Sequence, residues 1–147
     1  MNNKWFYRLR SLLLFWGVVF FLATLIFLFK TDELFRFFND LSKFLQLPLE
    51  PIVAPSESFW LVFVIALMAS LVYVCFYASV DLKRRLDFVA LILFTKFVST
   101  VFFFVFFLTK SQALAYLLGA FVEGAVFIST YAMYMRVRRE HRLMGVA

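Results

Sequence analysis

Four stretches of the chain are almost entirely apolar, and short polar segments separate them. They cover about residues 12–29, 59–79, 88–108 and 113–134. A helix rises 1.5 Å per residue, so about 20 residues cross a hydrocarbon layer about 30 Å thick. Backbone groups in lipid must be paired within their own segment, which makes each stretch helical. The pattern predicts an all-α integral membrane protein: a four-transmembrane-helix antiparallel bundle, with residues 1–147 as a single transmembrane domain.

The polar connection between the first two stretches has a helical period of its own. Thr31 or Asp32 can cap the start of a helix over about residues 32–47, and the prolines that follow are expected to stop it. This helix is too charged to cross a membrane. It is either an external amphipathic interfacial helix on the lipid headgroups or a helix packed against the end of the bundle. Its apolar residues recur three and four positions apart: Leu34, Phe37, Phe38, Leu41, Phe44 and Leu45.

The composition identifies lipid as the solvent of this chain. Of the 147 residues, 65% are hydrophobic, 22% are aromatic and 16% are charged, and the mean hydropathy is +0.91. A soluble core of this size could not enclose 23 phenylalanines, and a water-exposed surface made of them would aggregate. A lipid bilayer is therefore the expected surrounding.

The net charge of +6 is distributed unevenly between the two sides of the predicted bundle. Four crossings bring the N-terminal segment, the connection "DLKRRLD" and the tail of residues 136–147 to one side, with ten of the 15 basic residues. The positive-inside rule puts that side in the cytoplasm, together with both termini and the basic tail. Because the charge follows the membrane pattern, no nucleic-acid partner is expected.

Two charged side chains lie in the middle of apolar stretches. Lys96 is about 13 Å along the third predicted helix from Asp87, and Glu123 lies near the middle of the fourth. A lysine at that depth costs roughly 2.5 to 3.5 kcal/mol, which the apolar residues of the same helix outweigh. The third and fourth helices are joined by only a few residues and are therefore neighbours. The sequence predicts an ion pair between Lys96 and Glu123.

Other polar residues extend this candidate site. Ser99 and Thr100 follow Lys96 by three and four positions and share its helical face. Tyr73 and Tyr77 of the second helix either continue a polar line toward the cytoplasm or belong to the interfacial aromatic belt. The ion pair itself has three open roles: a proton or ion path, a contact that sets helix register, or a charge that answers a partner subunit. The candidate intramembrane polar site comprises Lys96, Glu123, Ser99, Thr100, Tyr73 and Tyr77.

The chain has few groups that could support catalysis. Cys and His residues show no metal-ligand spacing, the single His141 lies in the basic tail, and there is no glycine-rich phosphate loop. No catalytic residue, cofactor or metal is therefore expected, and the chain is not expected to be an enzyme.

The sequence instead predicts a non-catalytic membrane protein, an accessory or scaffold subunit that contacts other membrane subunits or associates with itself. The alternative is a small oligomeric transporter or proton-coupled exporter, in which Glu123 titrates and Lys96 is its counter-charge.

Several segments follow one another in a recognisable order. A basic start and a first span precede "DELFRFFNDL", and "FYASVDLKRRLDFVALILFTKF" and "LLGAFVEGAVFIST" complete the chain. In this order they resemble the small four-helix bacterial inner-membrane proteins of the broad DoxX-like group, many of which are uncharacterised. The resemblance implies a four-helix protein of the bacterial inner membrane and implies no activity.

Overall fold

The computed structural model describes residues 4–53 and 59–143, with side chains as far as residue 140. Within these ranges it contains five helices and no strands. Four of the helices are long and apolar enough to cross a membrane. The prediction of an all-helical protein with four apolar helices of membrane-spanning length is confirmed. The helices are α1 Lys4–Phe29, α2 Thr31–Phe44, α3 Phe59–Val80, α4 Leu86–Thr109 and α5 Leu114–Leu143.

The long helices extend beyond the apolar stretches of the sequence. The first begins at Lys4 rather than near residue 12, and Phe6 and Leu9 of this extension are buried. The last continues from its apolar stretch into the basic tail as far as Leu143, and Val137 in this part is fully buried. Hydropathy identifies only the part of a helix in which nearly every residue is apolar. Arg, Met and Leu have high helix propensity, so the helices continue beyond that part.

The four long helices contact one another in a ring. α1 packs on α3 and α5, and α4 packs on α5 and α3. Gly17 allows α1 to approach α3 closely, because a Cβ at this position would lie 3.3 Å from the Phe76 ring and 3.4 Å from Cys75 Cβ. The buried residues of α1 recur every three or four positions, as expected of one helical face: Phe6, Leu9, Leu13, Gly17 and Phe20.

The outer surface of this ring is mostly apolar over the membrane-length part of each long helix. Soluble monomers rarely expose continuous apolar surface of this extent, so the arrangement indicates insertion into a membrane. Exposed aromatic side chains come from each long helix: Phe21, Phe63, Phe94 and Phe121 are examples.

α2 follows α1 after a single residue, Lys30, which is the N-cap of α2. The prediction that Thr31 or Asp32 caps this helix is wrong, because both residues lie within its first turn. The Thr31 hydroxyl donates instead to the backbone carbonyl of Phe27 in α1. The proximity of α1 explains the difference, since its last carbonyl groups are available as acceptors.

α2 ends at Phe44, four residues before the first proline, so the prediction that prolines stop it is wrong. Gln46 adopts a positive φ of 51°. Its N–H donates to Lys43 O at 3.0 Å, and Leu47 N–H donates to Ser42 O at 3.1 Å. This pair of hydrogen bonds is a Schellman motif, which usually has glycine at the left-handed position. The predicted proline link continues into residues 54–58, which lie outside the described residues.

The segment after α2 folds back along that helix. Asn39 Nδ2 donates to Ile52 O, and Ile52 N–H donates to Asn39 Oδ1, both at 2.9 Å. Glu50 N–H donates to Gln112 O at 3.1 Å and joins this segment to the α4–α5 connection. These contacts hold α2 and both connections at one end of the ring of helices.

α2 uses one face for the bundle and leaves another uncovered. It contacts α1 and α5. Leu34, Phe38 and Leu41 are half-buried, whereas Phe37 and Phe44 are exposed. Of the two arrangements left open by the sequence, contact with the bundle is therefore present, and part of the apolar face still points away from it.

Candidate functional site

α4 and α5 bring two opposite charges together inside the ring of helices. Lys96 Nζ lies 2.9 Å from Glu123 Oε2 and 3.0 Å from Glu123 Oε1. The side chains of Lys96 and Glu123 are only 3% and 14% exposed. The ion pair predicted from helix depth is therefore present in the structure and lies within one chain.

Ser99 belongs to the same buried group. Its hydroxyl donates to Glu123 Oε2 at 2.7 Å. The hydroxyl oxygen also lies 2.9 Å from Thr95 O and 3.3 Å from Lys96 O, but it carries a single hydrogen. A carboxylate is the stronger acceptor, so Ser99 stabilises the charge on Glu123. Both oxygens of Glu123 thus have a partner.

α1 contributes a residue that the sequence did not single out. Lys96 Nζ lies 4.2 Å from the ring centre of Phe20, which is almost fully buried. This is a cation–π contact in which the ring face attracts the ammonium. Lys96 therefore joins α4 to both α1 and α5. One phenylalanine among 23 has no distinguishing sequence signal, because the stretch around it is apolar on every side.

Thr100 lies beside the ion pair, but its hydroxyl bonds within its own helix. Thr100 Oγ1 donates to Lys96 O at 2.7 Å. Its methyl carbon would lie 3.5 Å from a Cβ placed at Gly124, and the Phe103 ring would lie 3.0 Å from a Cβ placed at Gly119. Gly119 therefore lets α4 approach α5 closely, whereas a Cβ at Gly124 would make only an ordinary contact.

Tyr73 and Tyr77 are not joined to the buried ion pair. Their rings stack at 5.5 Å, and Tyr77 meets Phe88 edge-on at 5.0 Å. The Arg85 guanidinium lies 3.7 Å from the Tyr77 ring centre, and Arg85 Nη1 donates to Tyr77 O at 2.7 Å. Among the described side chains, neither tyrosine hydrogen-bonds to the ion pair. The contacts of both rings are therefore aromatic and cation–π packing.

A further buried polar group lies on the same helix as Glu123. Thr130 follows it by seven residues, about two turns of α5. Its side chain is fully buried, and its hydroxyl has no hydrogen-bond partner within the part of the chain that the structure describes. A buried hydroxyl without a partner carries an uncompensated desolvation cost.

Basic and aromatic residues from three segments meet at one end of the bundle. The Arg8 and Arg136 guanidinium carbons lie 4.9 and 4.2 Å from the ring centre of Trp5. Lys83 Nζ, from the α3–α4 connection, lies 5.7 Å from the ring centre of Phe6. The start of α1, the "DLKRRLD" connection and the end of α5 are therefore at the same end, hereafter the basic end.

The described residues provide no grouping of His, Cys, Asp and Glu side chains that could hold a metal ion. Cys75 is fully buried and lies near Gly17 at the α1–α3 contact, where it packs as a small apolar side chain. Between α4 and α5, the arrangement can hold two opposite charges and fix the helices that carry them.

No family model, curated protein or solved structure matches the chain. The resemblance of its layout to the DoxX-like group stays a prediction. The contacts of the buried ion pair and of the basic end are the observations that bear on function.

Proposed function

We propose that the chain is a non-catalytic integral membrane protein, an accessory or scaffold subunit of a larger membrane complex. The observation that carries this proposal is the closed contact of Lys96, Glu123 and Ser99. Both carboxylate oxygens have partners, and the lysine side chain is almost completely buried. A charge pair satisfied in this way holds α4 against α5 in one register, a role known for other buried polar contacts.

The outer surface of the four long helices is the part that would bind other subunits. It is apolar and rich in phenylalanine, and lipid or the helices of another membrane protein can cover it equally well. Helices in lipid associate through close packing, because the hydrocarbon gives no hydrophobic driving force. A protein whose two charges within the helix bundle pair with each other, and whose outer helix surface is available for packing, is suited to stabilise a complex.

We infer that α1, α3, α4 and α5 cross the bacterial inner membrane as an antiparallel bundle, with the basic end in the cytoplasm and α2 outside. The convergence of three basic segments supports this orientation, because positive charge favours the cytoplasmic side. The exposed Phe37 and Phe44 on α2 suit the headgroup layer, where an interfacial helix buries its apolar edge.

Cysteine labelling tests this orientation. Lys43→Cys and Arg84→Cys replace two well-exposed side chains, each in a Cys75→Ala background. In intact cells a membrane-impermeant maleimide should label the variant at position 43, and it should label the variant at position 84 only after permeabilisation. The reverse pattern would overturn the orientation.

Native purification tests the scaffold role. The tagged chain is extracted in mild detergent, and the mass of the intact assembly is measured. A different membrane subunit in fixed stoichiometry is the expected result. Recovery of the chain solely as a monomer or as a homo-oligomer, in several detergents and at native expression level, would contradict the proposal.

The unpartnered Thr130 hydroxyl favours a small oligomeric transporter or proton-coupled exporter as the second candidate. Buried polar groups without protein partners often bind water, and water at Thr130 would be one step of a polar path between Glu123 and the basic end. Thr130→Val removes the hydroxyl and nearly preserves the shape. The scaffold role predicts unchanged or higher stability and an intact complex. The transport role predicts reduced proton uptake into proteoliposomes at unchanged stability.

A further inference from the structure

Two arginines from opposite ends of the chain approach the same indole. Arg8 lies three residues after Trp5 in α1, whereas Arg136 is near the end of α5. Their guanidinium carbons are 4.9 and 4.2 Å from the Trp5 ring centre. The two carbons are therefore at most about 9 Å apart, the sum of these distances. Both side chains are exposed, so they remain accessible to a ligand.

No carboxylate among the described residues pairs with either of these two cations. The one acidic side chain of the α3–α4 connection, Asp81, lies 3.7 Å from Arg84 of the same connection. Lys83, over the neighbouring ring of Phe6, adds a third positive charge. Like charges gathered by tertiary structure repel one another, and an anion between them removes this repulsion.

The geometry favours a phosphate as that anion. A guanidinium that lies over an aromatic ring keeps its N–H groups free along its edge, and this fork matches phosphate oxygens. Because both groups lie over the same indole, one phosphate at the edge of that ring would accept hydrogen bonds from both. Tryptophan is also typical of the headgroup depth of a membrane, where lipid phosphates lie.

The surface next to this pair is suited to an acyl chain. Beyond Arg8 and Arg10, the exposed side of α1 becomes apolar, with Phe15, Val18 and Phe21 exposed. A ligand with a phosphate at one end and hydrocarbon at the other fits both parts. We propose that Trp5, Arg8 and Arg136 form a binding site for the phosphate group of an anionic phospholipid. Its occupant would tie the start of α1 to the end of α5.

This site does not depend on the scaffold role and requires only that the helices are in a membrane. It also differs from the general attraction of a basic surface to anionic lipid. General attraction depends on the number of positive charges, and lysine serves as well as arginine. A site built from guanidinium groups over an indole ring depends on arginine itself, because lysine lacks the planar fork that binds two phosphate oxygens.

A charge-preserving pair of variants separates these two cases. R8K/R136K changes the two arginines at Trp5, and R10K/R139K changes exposed arginines of the same two helices that do not stack on an aromatic ring among the described residues. Protein in detergent is titrated with phosphatidylglycerol, and native mass spectrometry counts the bound lipid. R8K/R136K should bind about tenfold more weakly, and the control should stay within about twofold of the wild type.

Further comparisons make the result decisive. Trp5→Leu removes the ring that holds both arginines and should also weaken binding, whereas Trp5→Phe keeps a ring and should weaken it less. Equal losses in R8K/R136K and the control, or equal binding of phosphatidylcholine, would overturn the proposal. Displacement of the lipid by equimolar inorganic phosphate would overturn it too, since it would assign the site to free phosphate. Thermal unfolding without added lipid verifies that each variant is folded.

Discussion

Two cations of the protein lie at the same distance from an aromatic ring. Lys96 Nζ is 4.2 Å from the centre of the Phe20 ring, and the Arg136 guanidinium carbon is 4.2 Å from the centre of the Trp5 ring. The lysine is buried and pairs with Glu123, whereas the arginine is exposed and has no carboxylate partner in the described part of the chain. A cation deep among apolar helices must take its counter-charge from the protein, because neither water nor headgroups reach it. At the end of the bundle, water and lipid phosphates can supply the counter-charge.

The largest effect is expected from breaking the buried pair. Lys96→Met leaves a charged Glu123 with only Ser99 as partner, and Glu123→Gln leaves the ammonium without an anion. Each change should lower the free energy of unfolding by about 3 to 5 kcal/mol, measured by denaturant titration in detergent micelles. The double variant removes the buried charges together and should lose less than the two single losses combined.

The double variant also distinguishes the two proposed functions. A scaffold should regain stability and assembly, because the pair acts only through the α4–α5 contact. A transporter should regain stability without activity, since no titrating carboxylate remains. Strictly additive losses of stability would show that the two residues are not coupled in the folded protein.

The second effect concerns how closely α4 must approach α5 for the pair to form. A methyl group at position 119 would lie 3.0 Å from the Phe103 ring, whereas one at position 124 would lie 3.5 Å from the Thr100 methyl carbon, an ordinary contact. Gly119→Ala should therefore cost about 1 to 3 kcal/mol of unfolding free energy. Gly124→Ala is the matched control and should cost less than about 1 kcal/mol. Equal effects would contradict this packing.

A smaller effect isolates the aromatic ring beneath the lysine. Phe20→Leu keeps an apolar side chain but removes the ring face, and the cation–π part of the loss should be about 0.5 to 2 kcal/mol. The same change in a Lys96→Met background should lack this part, because the cation is gone. A loss of identical size in both backgrounds would mean that the ring contributes only packing.

The smallest effect is expected at an exposed ion pair whose N–O distance is close to that of Lys96 and Glu123. Lys30 Nζ lies 2.7 Å from Glu33 Oε1, but these side chains are 61% and 57% exposed. Lys30→Gln should change the unfolding free energy by less than about 1 kcal/mol, since water screens the pair and solvates each charge alone. A loss as large as that of Lys96→Met would refute the view that burial, rather than distance, decides the cost.

The sequence was sufficient for the spans and for the central ion pair. In lipid, a single apolar stretch of about 20 residues can pair all its backbone groups only as a helix. Hydropathy was therefore enough to predict four long helices. The pairing of Lys96 with Glu123 followed from their similar depth and the short α4–α5 connection, because a helix converts residue number directly into distance. The helix ends were less predictable, since the N-cap at Lys30 and the left-handed Gln46 depend on local backbone contacts.

Tertiary structure alone decided which aromatic ring each cation meets. Phe20 and Trp5 lie on α1, far in sequence from Lys96 and Arg136, and no spacing rule connects residues on helices that are not consecutive. Their contacts exist because α1 packs between α3 and α5, with Gly17 allowing the close approach to α3. The sequence determined that the buried cation needed a carboxylate, because a lone charge in hydrocarbon is costly. Which ring each cation contacts could be seen only in the packed structure, because the phenylalanines are chemically identical and differ only in where packing places them.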